Sequence, residues 1–126
     1  MQVSHHQKAE FIDDRGGISV VLAGHNPAVK SILFITSKAG SVRSNHYHKK
    51  DAHYCYIISG KVEWREQPVA GGELEVQILE AGDMVFTPPF IKHTAKFLED
   101  TAFFAFATES RWQADYESDT VKVAQL

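Results

Sequence analysis

A chain of 126 residues and 14.1 kDa has room for one compact domain, and 44% hydrophobic with 23% charged residues is the composition of an ordinary globular protein, not of a disordered or disulfide-rich one. The net charge of −3 and the scattered basic residues argue against nucleic acid as a partner. The longest apolar run, residues 102–107, is far shorter than the roughly 18 residues of a membrane span. The polar N-terminus and the single cysteine predict a cytoplasmic protein.

Short runs rich in β-branched and aromatic residues recur about every ten residues, separated by Gly, Pro, Asp and Ser, a pattern typical of an all-β sandwich or barrel. In chain order we predict strands over residues 18–23, 29–37, 42–48, 53–58, 61–65, 74–79, 84–87, 91–98 and 101–108. One domain, residues 1–126, is expected, with a core of about 11–108 and a polar C-terminal extension, 109–126.

Two of these strands carry informative hydrophobic patterns. Leu74, Val76 and Ile78 alternate with polar residues, which predicts that these three face the core. Residues 102–107 are apolar on both faces and must be covered on both, within a sandwich or by a second subunit, so we expect a homodimer. In the C-terminal extension, the spacing of Trp112 and Tyr116 predicts a turn of surface helix.

The histidines are the informative feature of the chain. Of its 7 histidines, His46, His48, His53 and His93 fall in or beside predicted strands. His46 and His48 are two residues apart and share one face of a strand, His53 opens the next strand, and His93 follows a Pro-Pro corner. Three or four imidazoles can therefore converge on one divalent transition metal, either Fe, Ni, Cu, Zn or, less readily, Mn.

Other candidate residues have plainer interpretations. His5, His6 and His25 are interpreted as hydrogen-bonded residues without a metal role, and Cys55 as a buried neutral thiol. Asp51 is interpreted as a turn residue that binds backbone, with a carboxylate ligand as the alternative. The large aromatic residues are expected in the core, and two of them are candidates for a pocket wall. The full set is Trp64, Phe86, Phe90, Phe97 and Phe103–Phe106, the wall candidates being Phe90 and Phe97.

Two motif blocks give the chain a resemblance to a small single-domain cupin. The first block is reproduced by Gly40, His46, His48 and Gly60 at the family spacing, with His53 in place of the family's Glu; in the second, Gly82, Pro88 and His93 match, while Phe90 and Phe97 replace Gly and Asn. The resemblance implies a double-stranded β-helix, the jelly-roll barrel of that superfamily, with one metal ion per subunit.

Residues 43–48, Arg-Ser-Asn-His-Tyr-His, are similar to a segment of cupin domains attached to sugar-nucleotide reductases and, more loosely, of deoxysugar 3,5-epimerases. This similarity implies that Arg43 binds a phosphate or carboxylate of the substrate. A solvated strand arginine is the alternative interpretation.

Three functions stay open at this stage. The first, slightly favoured, is a metal-dependent isomerase or epimerase of a sugar or sugar nucleotide, since an ion held by neutral imidazoles keeps its full charge and stabilises anions such as an enolate. The second is an Fe- or Mn-type dioxygenase with an all-histidine site. The third is a non-catalytic, metal-stabilised module that binds a small molecule. Because ligand imidazoles must be unprotonated, metal loss is expected below about pH 6.

Overall fold

The computed structural model describes residues 1–5, 8–24 and 27–126, so the interpretations of His6 and His25 lie outside the described residues. In chain order its elements are β1 (Gln2–Ser4), β2 (Phe11–Asp13), β3 (Gly16–Ile18), β4 (Ser31–Ser37), β5 (Val42–His48), β6 (His53–Ser59), β7 (Lys61–Pro68), β8 (Glu75–Glu80), β9 (Met84–Thr87), β10 (Ile91–Phe97), β11 (Thr101–Ala107), α1 (Gln113–Asp119) and β12 (Thr120–Lys122).

Two five-stranded antiparallel sheets form the two layers of the fold. One has the order β1-β9-β6-β11-β4 and the other β12-β5-β10-β7-β8, while β2 and β3 make a separate hairpin. The core is made of side chains from both sheets: Cys55, Ile57, Val62, Trp64, Leu79, Val85, Ala95, Phe97, Phe103 and Ala105. The chain is an all-β jelly roll, as the sequence predicted.

Most strands lie where the sequence pattern puts them, because turn residues fix their ends. The predicted strands over 42–48 and 84–87 are confirmed residue for residue, as β5 and β9. Gly60 separates β6 from β7 with a φ of 97°, and a Cβ at this position would collide with the carbonyl oxygen of Asp100. Only glycine fits this turn.

The predicted strand over residues 18–23 is wrong. Strand β3 ends at Ile18, and the following residues pair with no strand of the described chain. The backbone nitrogen of Val20 donates instead to the Glu10 carboxylate, at 2.7 Å. High β propensity reflects packing on a pleated surface, and this segment has no neighbouring strand to supply one.

Strand β8 shows the opposite face from the one predicted. Val76 and Ile78 are 47% and 44% exposed, and Leu74, just before the strand, is 44% exposed. Leu79 is the core residue of this strand, at 0% exposure. The alternation was identified correctly, but β8 is an edge strand whose inner face carries Gln77 and Leu79.

Two expectations about aromatic residues also need correction. Phe90 is 52% exposed and belongs neither to the core nor to the wall of the central cavity. Phe97 is buried in the core but does not line that cavity. Phe86, Phe104 and Phe106 are only partly buried, since they lie on the outer face of their sheet.

Both ends of the chain add strands to the sheets. Strand β1 pairs with β9, and β12 pairs with β5. The C-terminal extension is therefore a helix of about two turns followed by an edge strand, which places residues 113–122 next to the histidine-bearing strand. Among the described residues no helix combines the length and the apolar character that crossing a membrane needs.

Candidate metal centre

A β-bulge aims the first two histidines into the molecule. The register between β5 and β10 shifts between His93 and Thr94, and Ser44 and Asn45 have φ values of 74° and 56°. Such left-handed values are unusual for residues other than glycine, and they cluster at functional sites. The bulge is held by the Thr94 hydroxyl, which donates to Oδ1 of Asn45 at 2.8 Å. His46, which follows directly, is buried, as is His48.

Three histidines bring one ligand nitrogen each to the same place. The nitrogens of His46, His48 and His93 all lie within 4.8 Å of one another. The ring of His46 is 4.6 Å from that of His48 and 4.7 Å from that of His93, centroid to centroid. Nε2 of His48 is buried and has no hydrogen-bond partner among the described residues. A buried unpartnered acceptor among convergent imidazoles fits a metal ion, because such an atom is unfavourable unless something coordinates it.

The opposite ring nitrogen of each of these histidines faces a polar partner. Nδ1 of His93 donates to the carbonyl oxygen of Ile91 at 3.0 Å, which leaves its Nε2 with a free lone pair. Nδ1 of His48 is 3.2 Å from the Thr120 hydroxyl, and Nδ1 of His46 is 3.5 Å from the Tyr116 hydroxyl. Such outer partners orient metal-binding imidazoles in proteins.

His53 reaches the same site from the other sheet. Its Nε2 lies 3.3 Å from Nε2 of His93, and its Nδ1 lies 3.6 Å from the Cys55 sulfur. Because His93 already donates through Nδ1, the contact between the two Nε2 atoms is a hydrogen bond only if His53 supplies the proton. In the other His53 tautomer both lone pairs face the same point, as two ligands of one ion require.

Burial keeps these imidazoles neutral. It lowers the pKa of His46, His48 and His93 from the usual 6.5 to about 3, and the positive charges of neighbouring imidazoles and of Arg111 act in the same direction. The pKa of His53 is likewise held well below its usual value, mainly by burial. The free-imidazole value behind the expected metal loss below about pH 6 therefore does not apply inside the folded site. Protonation of the site itself requires a lower pH.

Three of the four histidines, His46, His53 and His93, line a cavity of about 340 Å³. Its walls combine apolar side chains, among them Leu33, Ile35 and Phe103, with the polar groups of Arg43, Arg111 and Tyr116. A mostly apolar cavity with a few convergent polar groups is the usual form of a small-molecule site.

Arg43 lies on the rim of this cavity. It is exposed, and its Nε and Nη2 donate to the Ser37 hydroxyl at 2.6 Å and to the carbonyl oxygen of Thr36 at 3.0 Å. The Arg43 side chain therefore lines the cavity and is also exposed to solvent. This position is compatible with both interpretations made from the sequence, a substrate-binding arginine and a solvated strand arginine.

Arg111 is a site residue that no sequence motif indicated. Its guanidinium forms an ion pair with buried Asp51 at 2.8 Å and lies over the Tyr116 ring, 5.3 Å from its centroid. Asp51 also accepts from the backbone nitrogens of Thr108 and Glu109. Asp51 is thus the backbone-binding residue that we expected, and it anchors Arg111. Burial raises the pKa of Asp51, while Arg111 and the hydrogen bonds oppose this effect.

A buried carboxylate, Glu66, fixes the Trp64 ring that packs against His93. The Trp64 indole stacks on His93 with centroids 5.8 Å apart and donates to Oε1 of Glu66 at 3.0 Å; the Thr87 hydroxyl donates to the same oxygen at 2.7 Å. Burial raises the pKa of Glu66. These contacts fix the Trp64 ring against His93, so Trp64 is part of the site as well as of the core.

Two further residues match their plain interpretations. Cys55 is a free buried thiol whose pKa burial raises to about 12, so it is a neutral group. His5 lies away from the cluster, with Nε2 3.1 Å from Oε1 of Gln77 and Nδ1 3.3 Å from Oδ2 of Asp83.

Comparisons with known proteins agree with this architecture. The cupin domain family model matches residues 33–107, and no curated protein sequence matches the chain. Among solved structures, a 3,4-ketoisomerase from Helicobacter canadensis is similar at 17% identity and a TM-score of 0.76, covering 96% of this chain and 89% of that one. A dTDP-4-dehydrorhamnose 3,5-epimerase from Sulfolobus tokodaii is similar at 21% identity and a TM-score of 0.75, covering 90% of this chain and 72% of that one.

The capsular polysaccharide assembling protein CapF from Staphylococcus aureus is also similar, at 20% identity and a TM-score of 0.69. The match covers 78% of this chain, which spans only 27% of the length of CapF. Identities this low show a common fold.

Proposed function

This chain belongs to the cupin domain family, and on that premise we propose that it is a metal-dependent enzyme that isomerises or epimerises a sugar or sugar nucleotide. The observation that carries the proposal is the set of buried, neutral imidazoles that converge beside an open cavity, which three of them line. Hydrogen bonds alone do not account for the cluster, because Nε2 of His48 is buried without a partner among the described residues.

The donor set indicates how a metal would be held. His46, His48 and His93 supply the three nitrogens that already lie together, and His53 supplies the fourth once its Nε2 is unprotonated. All four ligands are uncharged, so a divalent ion held by them would keep its full charge and would supply Lewis-acid stabilisation of a negatively charged substrate oxygen. Imidazole ligands suit Fe, Ni, Cu, Zn and Mn in different degrees, and metal analysis identifies the ion.

The remaining cavity residues fit a small, oxygen-rich anion. Arg43 and Arg111 place positive charge at the wall, and Arg111 is held in place by Asp51. We assign Arg43 to the substrate's phosphate or carboxylate, since a planar guanidinium binds two oxygens at once. Tyr116 brings a hydroxyl to the cavity and is the chain's candidate proton donor. Solved structures with this fold include sugar ketoisomerases and a sugar-nucleotide epimerase, which supports the substrate class.

A homodimer is part of the proposal. One face of strand β11 packs against the core. The outer face of its sheet carries exposed Ile32 and Phe34 beside Phe104 and Phe106. None of the five strands of this sheet contains Lys, Arg, Asp or Glu. An apolar sheet face without charges is typical of a surface that a second subunit covers. The cytoplasmic location predicted from the sequence stays a prediction.

Metal binding can be followed by tryptophan fluorescence, because Trp64 stacks on His93, one of the proposed ligands. In a Trp112→Phe background Trp64 is the one remaining tryptophan, since the chain has 2. Titration of the metal-free protein with Ni²⁺ or Cu²⁺ is expected to quench Trp64, with an endpoint of about one ion per chain by elemental analysis. His46→Ala and His48→Ala should abolish the endpoint. His5→Ala, which removes a histidine outside the cluster, should leave it unchanged.

The reaction is tested by hydrogen exchange. The metal-loaded protein is incubated in D₂O with a dTDP-4-keto sugar, and NMR is expected to show deuterium next to the carbonyl and no uptake of dissolved oxygen. Oxygen uptake would establish the dioxygenase alternative, and stoichiometric ligand binding without exchange would establish the binding module. A wild-type protein that neither binds metal nor quenches would overturn the metal-dependent function.

A further inference from the structure

The C-terminal segment, residues 111–122, contacts the histidine cluster through Tyr116 and Thr120. Strand β12 pairs with β5 so that Thr120 lies opposite His48. The Thr120 hydroxyl oxygen is 3.2 Å from Nδ1 of His48, and helix α1 places the Tyr116 hydroxyl 3.5 Å from Nδ1 of His46. The segment thus supplies outer partners for two of the proposed ligands.

The direction of the Thr120 hydrogen bonds determines the tautomer of His48. A hydroxyl has a single proton, and the Thr120 hydroxyl donates it to the carbonyl oxygen of Tyr116 at 2.6 Å. At the longer contact with His48 the hydroxyl oxygen must therefore accept, so Nδ1 of His48 carries the proton. In a neutral imidazole this leaves Nε2 unprotonated, with its lone pair free.

No other group among the described residues fulfils this role for His48. The Asp119 carboxylate is 4.0 Å from the same Nδ1, beyond hydrogen-bond distance, and its two oxygens accept from the backbone nitrogens of Lys50 and Asp51 at 2.7 and 2.9 Å. Nε2 of His48 is the buried atom without a partner noted above. The hydrogen bonds therefore leave Nε2 as the nitrogen of His48 that is available to bind an ion.

We propose that Thr120 is a positioning residue that fixes the Nδ1-protonated tautomer of His48 and so presets Nε2 as a metal-binding atom. Pairing of β12 with β5 and metal binding are then coupled, because the Thr120 hydroxyl that donates to the Tyr116 carbonyl oxygen also determines the tautomer of His48. The tautomer stands on the hydrogen bonds alone, and only its link to metal affinity rests on the proposed function.

Two substitutions separate this role from a packing role. Thr120→Ser keeps the hydroxyl, whereas Thr120→Val keeps the branched shape and removes the acceptor. Long-range ¹H–¹⁵N correlation spectra of the metal-free, ¹⁵N-labelled protein at pH 7 report the His48 tautomer directly. We expect the Nδ1-protonated form in the wild type and Thr120→Ser, and a shift toward the Nε2-protonated form in Thr120→Val.

The second readout is the dissociation constant for Ni²⁺, followed through Trp64 in the Trp112→Phe background. Loss of an outer hydrogen bond to a ligand histidine weakens metal binding by about 10- to 100-fold, so Thr120→Val is expected in this range and Thr120→Ser near the wild type. An unchanged signal of the Trp64 indole in the same spectra shows that Thr120→Val is folded.

The outcomes distinguish this inference from the proposed function. An Nε2-protonated His48 in the metal-free wild type, or an unchanged tautomer and unchanged Ni²⁺ affinity in Thr120→Val, overturns the role of Thr120 while leaving the metal site intact. Conversely, a wild type that binds no Ni²⁺ but shows the Thr120-dependent tautomer rejects the metal-dependent function and supports Thr120 as the residue that sets the His48 lone pair.

Discussion

Phe90 occupies a backbone conformation that a side chain disfavours. Its φ is 60°, and it follows Pro88 and Pro89 where the second cupin motif has Gly. The conformation is held by its backbone, which donates to the carbonyl oxygen of His48 at 2.8 Å and accepts from the nitrogen of Val69 at 3.0 Å. The exposed ring packs near Tyr47, with centroids 5.9 Å apart.

Replacing Phe90 should therefore reveal the strain. Phe90→Gly and Phe90→Ala both lose the ring contact, but only alanine keeps a Cβ in the left-handed region. Phe90→Gly is expected to be more stable than Phe90→Ala by about 1 kcal/mol, since a left-handed residue with a Cβ costs about 1–2 kcal/mol and glycine carries a smaller entropic penalty. Urea unfolding curves measure the difference. An alanine variant at least as stable as the glycine variant would contradict it.

The proposed ligand histidines could be predicted from their spacing in the sequence, but the residues that surround them could not. His46 and His48 share a face because strand side chains alternate, and this rule needs no tertiary structure. Arg111 and Tyr116 reach the site because β12 pairs with β5, a contact between segments about 70 residues apart that no local pattern encodes. The Thr120 hydrogen bond has the same origin.

Among the elements, β8 shows what alternation does and does not determine. The pattern correctly groups Val76 with Ile78 on one face, because the period of a strand is two residues. It does not say which face is inside, which depends on the neighbouring strand: β7 places Val62 opposite Leu79, and both are buried. The strand predicted over residues 18–23 is wrong for a related reason, because a strand needs a neighbouring strand as well as β-forming residues.

The outer face of the sheet containing β4 and β11 leads to a prediction about assembly. Placing a charge at Phe34, which is 62% exposed, should disrupt the proposed dimer, because a lysine there would be buried without a partner in the interface. Phe34→Lys is expected to sediment as a monomer where the wild type sediments as a dimer. Ile78→Lys, at a similarly apolar and 44% exposed position of the other sheet, is the matched control and should stay dimeric. A monomeric wild type would refute the interface.

For the whole molecule, the buried histidines predict acid sensitivity of the metal-free protein. Their pKa is about 3 when folded for His46, His48 and His93, against 6.5 when exposed. Between these values the unfolded chain binds more protons than the folded one, so stability is full above pH 6.5 and falls as the pH drops toward 3. Buried Asp51 and Glu66, with raised pKa values, act in the opposite direction, but they are two groups against the four buried imidazoles.

Urea midpoints of the chelator-treated protein should therefore be level above about pH 7 and decline steadily from about pH 6.5 to 4.5. His46→Asn removes one of the titrating groups, so its decline should be shallower than that of the wild type, whatever its stability at pH 7. A wild-type midpoint that is independent of pH over this range would contradict neutral buried imidazoles.

The four proposed ligands do not belong to one layer of the sandwich. His46, His48 and His93 project from the sheet of β5 and β10, whereas His53 projects from β6 in the facing sheet. An ion coordinated by all of them would tie the two layers together. Unfolding separates these layers, so metal loading should slow unfolding as well as raise the urea midpoint.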